Sequence, residues 1–420
     1  MKILIVNTSE RSGGAAVAAN RLLHGLLKQG IEAKMLVCKR QSDNPHVVSL
    51  LGNVRYTLNF LLERGAIFFQ NHFSKKQLFA VSIANFGGDI THLNVYKEAD
   101  IIHLHWINQG MLSLKNLEAV KESGKPVVWT MHDMWPLTGI CHHAYGCERF
   151  TVSCGKCPFL QSSNEKDLSN KVFVKKKQLF NQWPVAMVAV SSWLATLGNR
   201  SAVLKDHPVG VIPNAIPLDL FKPIDKVSAK HQLNLPQEKT MLVFGAAMID
   251  YPVKGFSFVK EALLLLGKKM DTTSLHLVLY GGIKSGPELL SDLAISYTWL
   301  GKVPEETLPL IFSACDVLVA PSLYETFGQT IIEAQSCGCI PVCFGNSGQT
   351  DIIEHGVTGL FATYLSAESL ADTLFEALTT FNKERFVEKA AASVQSKFSD
   401  SQVTSMYREL YTFLLANRKG

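Results

Sequence analysis

One stretch near residue 320 constrains the fold more than any other part of the chain. Asp316-Val317-Leu318-Val319-Ala320 is an apolar run that reads as a buried strand, and Thr330 to Ser336 reads as a helix. Gly338, Ile340 and Pro341 then lead into another strand. Strand, loop, helix and strand in that order form a unit of a parallel sheet, and ligands bind in the crevice at the carboxyl ends of such strands. The loop, Pro321-Ser322-Leu323-Tyr324-Glu325-Thr326-Phe327-Gly328-Gln329, carries one carboxylate, and Glu333 in the early turns of the helix carries another. The N–H groups near Gly328, Gln329 and Thr330 make an anion site at the helix start. Two acceptor-only carboxylates beside an anion cradle suit a ligand with a diphosphate and several hydroxyls. A nucleotide sugar is such a ligand.

The alternation extends along the chain. Lys2 to Val6, Glu32 to Val37, Asp100 to Leu104, Val127 to Met131, Ala186 to Val190 and Val209 to Ile212 read as strands of a first α/β unit. Ala15 to Lys28 carries Ala19, Leu22, Leu23 and Leu26 at helical spacing and stops at Gly30, and residues 112–123 are helical. Pro213-Asn214-Ala215-Ile216-Pro217 reads as a linker. Met241 to Phe244 and Leu275 to Tyr280 are strands of a second unit. The fold class is α/β, with two doubly wound, Rossmann-like domains over residues 1–213 and 218–400.

Composition narrows the function classes. A chain of 420 residues with 47% hydrophobic and 18% charged residues is globular and long for one core. No apolar run reaches the about 18 residues of a membrane span, and Met1 to Val6 lacks the form of a signal peptide, which points to the cytoplasm. A net charge of +5 permits acidic ligands without marking a nucleic-acid binder. Lys175-Lys176-Lys177 reads as a solvated helix face, with acidic headgroups as the alternative contact.

The Glu325-x7-Glu333 stretch resembles the signature of retaining glycosyltransferases of the GT-B fold, in particular glycosyltransferase family 4. Trp299-Leu300-Gly301-Lys302-Val303, Leu308-Pro309 and Ala314-Cys315-Asp316 precede it in the family's pattern. Cys337-Gly338-Cys339-Ile340-Pro341-Val342, Gly348 and Gly356-Val357-Thr358-Gly359-Leu360 follow. The run from Trp129 through Cys141, Cys147, Cys154 and Cys157 most resembles bacterial enzymes of colanic-acid and other exopolysaccharide assembly. The resemblance implies two domains facing a cleft, with helix 402–420 crossing back to the first. It also implies a hexosyltransferase that takes a nucleotide-sugar donor and a saccharide or lipid-linked acceptor and needs no cofactor for catalysis. A GT-B sugar-nucleotide epimerase and a catalytically silent sugar-nucleotide-binding subunit are the rival readings.

Site residues follow by the same match. Thr130-Met131-His132-Asp133 fits the family's T-x-H-D position, so His132 would meet the donor sugar or departing phosphate; a strand-end histidine tied to Asp133 is the alternative. Gly13 and Gly14 fit the N-terminal glycine loop, though a tight strand-to-helix turn needs the same residues. Lys254 fits the second of two diphosphate cations, whereas Met248 stands near where the family carries an arginine. Gly281 and Gly282 would approach the nucleotide. Glu325 would hold sugar hydroxyls, Phe327, Gly328, Gln329 and Thr330 would offer backbone groups, and Glu333 would accept the ribose hydroxyls. His103 and His105, with Trp106, are expected to line the acceptor side.

Two further features stand apart. Cys141, Cys147, Cys154 and Cys157 are four of nine cysteines, gathered in a loop-like stretch. A structural zinc site is the expectation, with two disulfides or four free thiols as the alternatives. Tyr56 to Phe79 mixes aliphatic and aromatic residues with Arg55, Arg64, Lys75 and Lys76. It fits an interfacial helix in peripheral contact with the inner membrane, or a helical hairpin packed on the first domain.

Overall fold

The computed structural model describes residues 1–50 and 53–417. The chain divides into two compact units, Met1–Ala215 with the chain from Val403 onward, and Ile216–Gln402. Among the described residues no helix is long and apolar enough to cross a membrane.

The first unit is built on a seven-stranded sheet: β1 (Lys2–Val6), β2 (Glu32–Val37), β3 (Val47–Ser49), β4 (Ile101–Leu104), β5 (Val127–Met131), β6 (Val185–Ala189) and β7 (Val209–Val211), in the order β3-β2-β1-β4-β5-β6-β7. Every pairing is parallel. Parallel strands are covered on both faces, which is why β4 and β5 are buried at every residue. Helix α1 (Gly14–Lys28) lays Ala19, Leu22, Leu23 and Leu26 on the sheet beside Ile3 and Ile5. Each such side chain taken out of water contributes roughly 1.5–3 kcal/mol. The Asp400–Ala416 helix adds Val403, Tyr407 and Tyr411 to the same core. Residues 418–420 of the expected last helix lie outside the described residues.

The second unit holds β8 (Thr240–Met248), β9 (Leu275–Gly282), β10 (Ser296–Trp299), β11 (Val317–Ala320), β12 (Ile340–Phe344) and β13 (Leu360–Ala362), in the order β10-β9-β8-β11-β12-β13. These pairings are also parallel. The strand order reverses between β8 and β11, and the loops that leave those two strands open the crevice of a doubly wound sheet.

Two expectations about helices need correction. Residues 56–79 do not form a hairpin: helix α2 (Asn53–Gln70) is followed by turns and extended chain. The lysine run is not wholly solvated. Lys175 and Lys177 are exposed, but Lys176 is fully buried, donating to the carbonyls of Trp135 and, at 3.0 Å, Thr138. Its ammonium stands 3.3 Å from the Trp135 ring centroid. Two carbonyls and a ring face together replace the hydration it gives up.

Candidate functional site

The second unit's site begins where β11 ends. The Gln329–Ser336 helix starts from Gly328, whose φ of 110° only glycine adopts without strain. Ile331 N donates back to Gly328 O at 2.9 Å, and the N–H groups ahead of it have no carbonyl one turn back. Phe327 is 2% exposed and its ring packs on Phe398 at 5.7 Å, so the side chain anchors the loop and leaves only backbone to serve a ligand. Gly348 lets a second loop press on this one, because a Cβ there would stand 2.2 Å from the Thr326 carbonyl. Gly348 N donates to Glu325 O at 2.8 Å, and Glu325 N donates to Ser347 Oγ at 3.1 Å. The backbone of the carboxylate-bearing loop is thereby fixed from behind.

Lys254 arrives from the loop after β8. Gly255, at φ 74°, passes so close to Pro321 that a Cβ would lie 2.1 Å from its carbonyl oxygen, and Leu323 N donates to Val253 O at 2.7 Å. These contacts set Lys254 Nζ 2.8 Å from Glu325 Oε2, with both side chains partly open to solvent. The pair borders a pocket lined by Gly245, Lys254, Ser322, Glu325, Gly328, Thr330 and Gln349, among others. Glu333 is 5% exposed and is not among the residues that line this pocket. Gly281, at φ 119°, allows β9 to approach Ala246, whose carbonyl would be 1.8 Å from a Cβ. A Cβ on Gly282 would lie 2.9 Å from both Met248 Sδ and Lys302 Cε. Lys302 therefore brings an amine beside the residue that stands near the family's arginine position. The sequence reading missed it, because the two lysines lie far apart in the chain.

In the first unit, Gly13 caps α1 at φ 91° with open space around it. The loop is held by buried Glu10, which accepts from Gln41 N, from Ser42 N at 3.1 Å and from Ser42 Oγ. His132 follows β5 and is half-buried, with Nε2 2.8 Å from Nδ1 of His105. His105 is buried, and its Nε2 has no partner among the described residues. Burial pushes the His132 imidazolium down to about 4, against the opposing pull of Asp133. Burial also carries His105 well below its ordinary value. One ring must donate and the other accept, and both are neutral at ordinary pH. Burial works against ionisation of Asp133, yet the charge and hydrogen bond of His142 outweigh it and hold the acid at about 2. Asp133 also accepts from Trp106 Nε1 at 2.7 Å and from Trp135 N at 2.8 Å.

His103 does not line a surface. It is fully buried, bonded to Tyr411 Oη at 2.7 Å and Thr130 Oγ1 at 2.8 Å, and Thr130 in turn meets Tyr407 Oη at 2.8 Å. The zinc expectation is also corrected. Among the described residues no three His, Cys, Asp or Glu side chains converge to hold a metal ion, and Cys141, Cys147, Cys154 and Cys157 are free thiols. The loop is pinned by other means: Lys176, Ser201 Oγ donating to Leu137 O at 2.6 Å, and Cys157 N donating to Asp167 at 2.8 Å. A large groove, about 790 Å³, lies along β6 and β7 beside Trp183 and Met187. Its lining is mostly apolar, so it is no candidate for the chemistry.

Comparison with known proteins agrees with this geometry. Residues 12–220 match the family model described as Glycosyltransferase Family 4, and residues 238–380 match Glycosyl transferases group 1. A D-inositol 3-phosphate glycosyltransferase of Thermobispora bispora is 26% identical over 216 residues, 49% of this chain and 50% of that protein. The chain thus matches about half that relative's length. The fold is shared with Anabaena Alr3699/HepE, solved with UDP and glucose, at TM-score 0.66 and 18% identity, covering 98% of this chain and 100% of the other. It is shared too with sucrose-phosphate synthase of Thermosynechococcus elongatus, at TM-score 0.69 and 20% identity with 99% of each chain covered. Two family models that between them span both units, over two parallel sheets of this order, place the chain in the GT-B glycosyltransferases, within glycosyltransferase family 4.

Proposed function

We propose that the chain is a retaining hexosyltransferase of bacterial exopolysaccharide assembly, of the colanic-acid kind. It moves a sugar from a nucleotide diphosphate donor to a saccharide or lipid-linked saccharide, in peripheral contact with the inner membrane. The observation that supports this best is the Lys254–Glu325 pair bordering a pocket beside the Gly328 helix start. In this reading Glu333 accepts the ribose hydroxyls and Glu325 the donor-sugar hydroxyls. The phosphates meet Lys254, with Lys302 beside Met248 as a second cation, and the backbone at Gly328, Gln329 and Thr330. The bond from the anomeric carbon to the phosphate oxygen breaks as the acceptor hydroxyl oxygen bonds to that carbon on the same face, and the hydroxyl proton passes to the departing phosphate oxygen. Lys254 and the helix start stabilise the charge that collects on the departing diphosphate. His132, neutral, offers a hydrogen bond to the transferred sugar or departing phosphate, and Gly13 and Gly14 a close backbone approach.

The test has two arms. Glu333→Ala should weaken donor binding about 10- to 150-fold, the equivalent of about 1.5–3 kcal/mol for a charge-assisted bond, while Glu325→Ala chiefly lowers turnover. Binding is read by thermal stabilisation with a panel of nucleotide sugars, UDP-glucose included. Unaltered affinity and turnover in both variants would sink the assignment. The acceptor arm compares a lipid-linked saccharide extract with D-inositol 3-phosphate, the acceptor in the relatives' name. Donor turnover without any acceptor would instead favour the epimerase.

A further inference from the structure

Helix α2 departs from the usual amphipathic arrangement. The side it turns to the protein carries polar and charged groups beside Ile67: Asn59, Glu63 and Arg64 are at most 9% exposed. Glu63 Oε1 accepts from Ile83 N at 2.8 Å and Ala84 N at 3.0 Å, and Arg64 donates to Val81 O at 3.0 Å. These bonds settle which face is down. The opposite face exposes Val54 (84%), Leu58 (53%), Leu61 (58%), Leu62 (42%) and Phe69 (64%). At 3.6 residues per turn those five fall on one stripe about 100° wide.

The chain just after the helix extends that stripe. His72 and Phe73 both take left-handed backbone angles, φ 51° and 60°. A bulky residue does so only against strain. The outcome is a Phe73 ring 65% exposed and set edge-on to Phe69 at 5.4 Å. Strain is thus spent on adding an aromatic ring to a surface water disfavours. Isolated exposed leucines are ordinary; a continuous stripe with aromatic rings at one end marks an interaction surface.

Charge identifies the partner. From residue 53 to 80 the single acidic residue is Glu63, and it is buried, whereas Arg55, Lys75 and Lys76 are exposed. An isologous contact between two copies would set this basic flank against itself. A bilayer carrying anionic headgroups takes both parts, the apolar stripe at the acyl boundary and the amines among the phosphates. We infer that α2 and the turn after it, through Leu58, Leu61, Leu62, Phe69, Phe73 and the flanking Lys75 and Lys76, dock the first unit on an anionic lipid surface. This rests on the proposed work on a lipid-linked acceptor and names the surface that reaches it, yet it is read without any turnover.

The test is flotation of the full chain with phosphatidylcholine vesicles, with and without phosphatidylglycerol. The chain should float with phosphatidylglycerol at low salt and lose binding as salt rises. Leu61→Glu with Phe69→Glu should lower partitioning at least about tenfold. Lys75→Glu with Lys76→Glu should remove the preference for phosphatidylglycerol. All these side chains are exposed, so melting temperature and thermal stabilisation by donor should match the parent. A parent chain that stays unbound at low salt overturns the inference. So does a Leu61/Phe69 variant that floats like the parent, or a dimer that this variant abolishes with no vesicle binding by the parent. Vesicle binding without donor binding would instead overturn the proposed function and leave the docking surface standing.

Discussion

Two close acid–base pairs, one from each unit, are used differently. Asp133 and His142 meet at 2.6 Å with each side chain 10% exposed; Lys254 and Glu325 meet at 2.8 Å with 31% and 21% exposed. The lengths are nearly equal, so distance does not separate them. Their remaining partners do. Asp133 also takes hydrogen bonds from Trp106 and Trp135, so its acceptor sites face protein. The Glu325 carboxylate has Lys254 as a side-chain partner, beside a pocket whose other polar lining includes Ser322, Thr330 and Gln349. A carboxylate whose partners are supplied by its own fold holds shape, and one that faces a cavity with lone pairs to spare can receive a ligand.

The sharpest break of this contrast is Asp133→Ala. It leaves His142, Trp106 Nε1 and Trp135 N without their shared acceptor, and breaking a buried pair from one side costs about 3–5 kcal/mol. Five of the six tryptophans, all but Trp299, lie in the first unit, so tryptophan fluorescence in urea reads that unit's transition. A loss under about 1 kcal/mol would show that Asp133 is no more structural than a surface acid. Lys254→Ala should do the reverse: melting close to the parent, with turnover down about 10²- to 10³-fold, the effect of removing one preorganised stabiliser of developing charge.

Both outcomes bear on what the sequence could show. Much of the second unit's candidate site was legible because strand, loop, Gly328 and Glu333 fall within one βα unit, whereas Lys302, from another segment, was missed. The first unit's cluster was half legible. His132 and Asp133 could be read, but His105 and His142 come from other segments, and Tyr407 and Tyr411, which bond around His103, come from the last helix. Lys176 was misread because a lysine triplet has the composition of a wet surface, and the carbonyls that bury it belong to residues 135 and 138. Cysteine spacing misled for a like reason: proximity in sequence put four thiols in one loop without turning them toward a common point. In α2 the periodicity was plain but its polarity was not, since nothing in the pattern says that Glu63 will find two free N–H groups to bury against.

Acid should separate the two units next. His103 is held down to about 3 by burial and His132 to about 4, while an unfolded chain's histidines protonate near 6.5. Between roughly pH 6.5 and 4 the unfolded state therefore binds more protons. Stability is full above that window and falls as pH drops through it, by about 1.4 kcal/mol per pH unit for each such histidine. Fluorescence-detected unfolding of the first unit should weaken accordingly, and His103→Gln should flatten the slope. A first unit equally stable at pH 4.5 and 7 would show that these rings charge without penalty.

The smallest expected effect bears on the pair that carries the proposed chemistry. Without donor, Lys254 and Glu325 attract each other at a site reached by water, where Coulomb attraction is largely offset by hydration and by the ordering of two flexible side chains. A double-mutant cycle with Lys254→Met and Glu325→Gln, followed by urea unfolding of the second unit, should give a coupling of about 0.2–1 kcal/mol. The same cycle read in donor affinity should give a larger value, because a bound diphosphate and sugar exclude water and set each side chain on a different part of the ligand. If the unfolding cycle instead returns several kcal/mol, the pair is a structural clasp like Asp133–His142. Opening it for a donor would then oppose binding, and the chemistry assigned to Lys254 would have to move to Lys302.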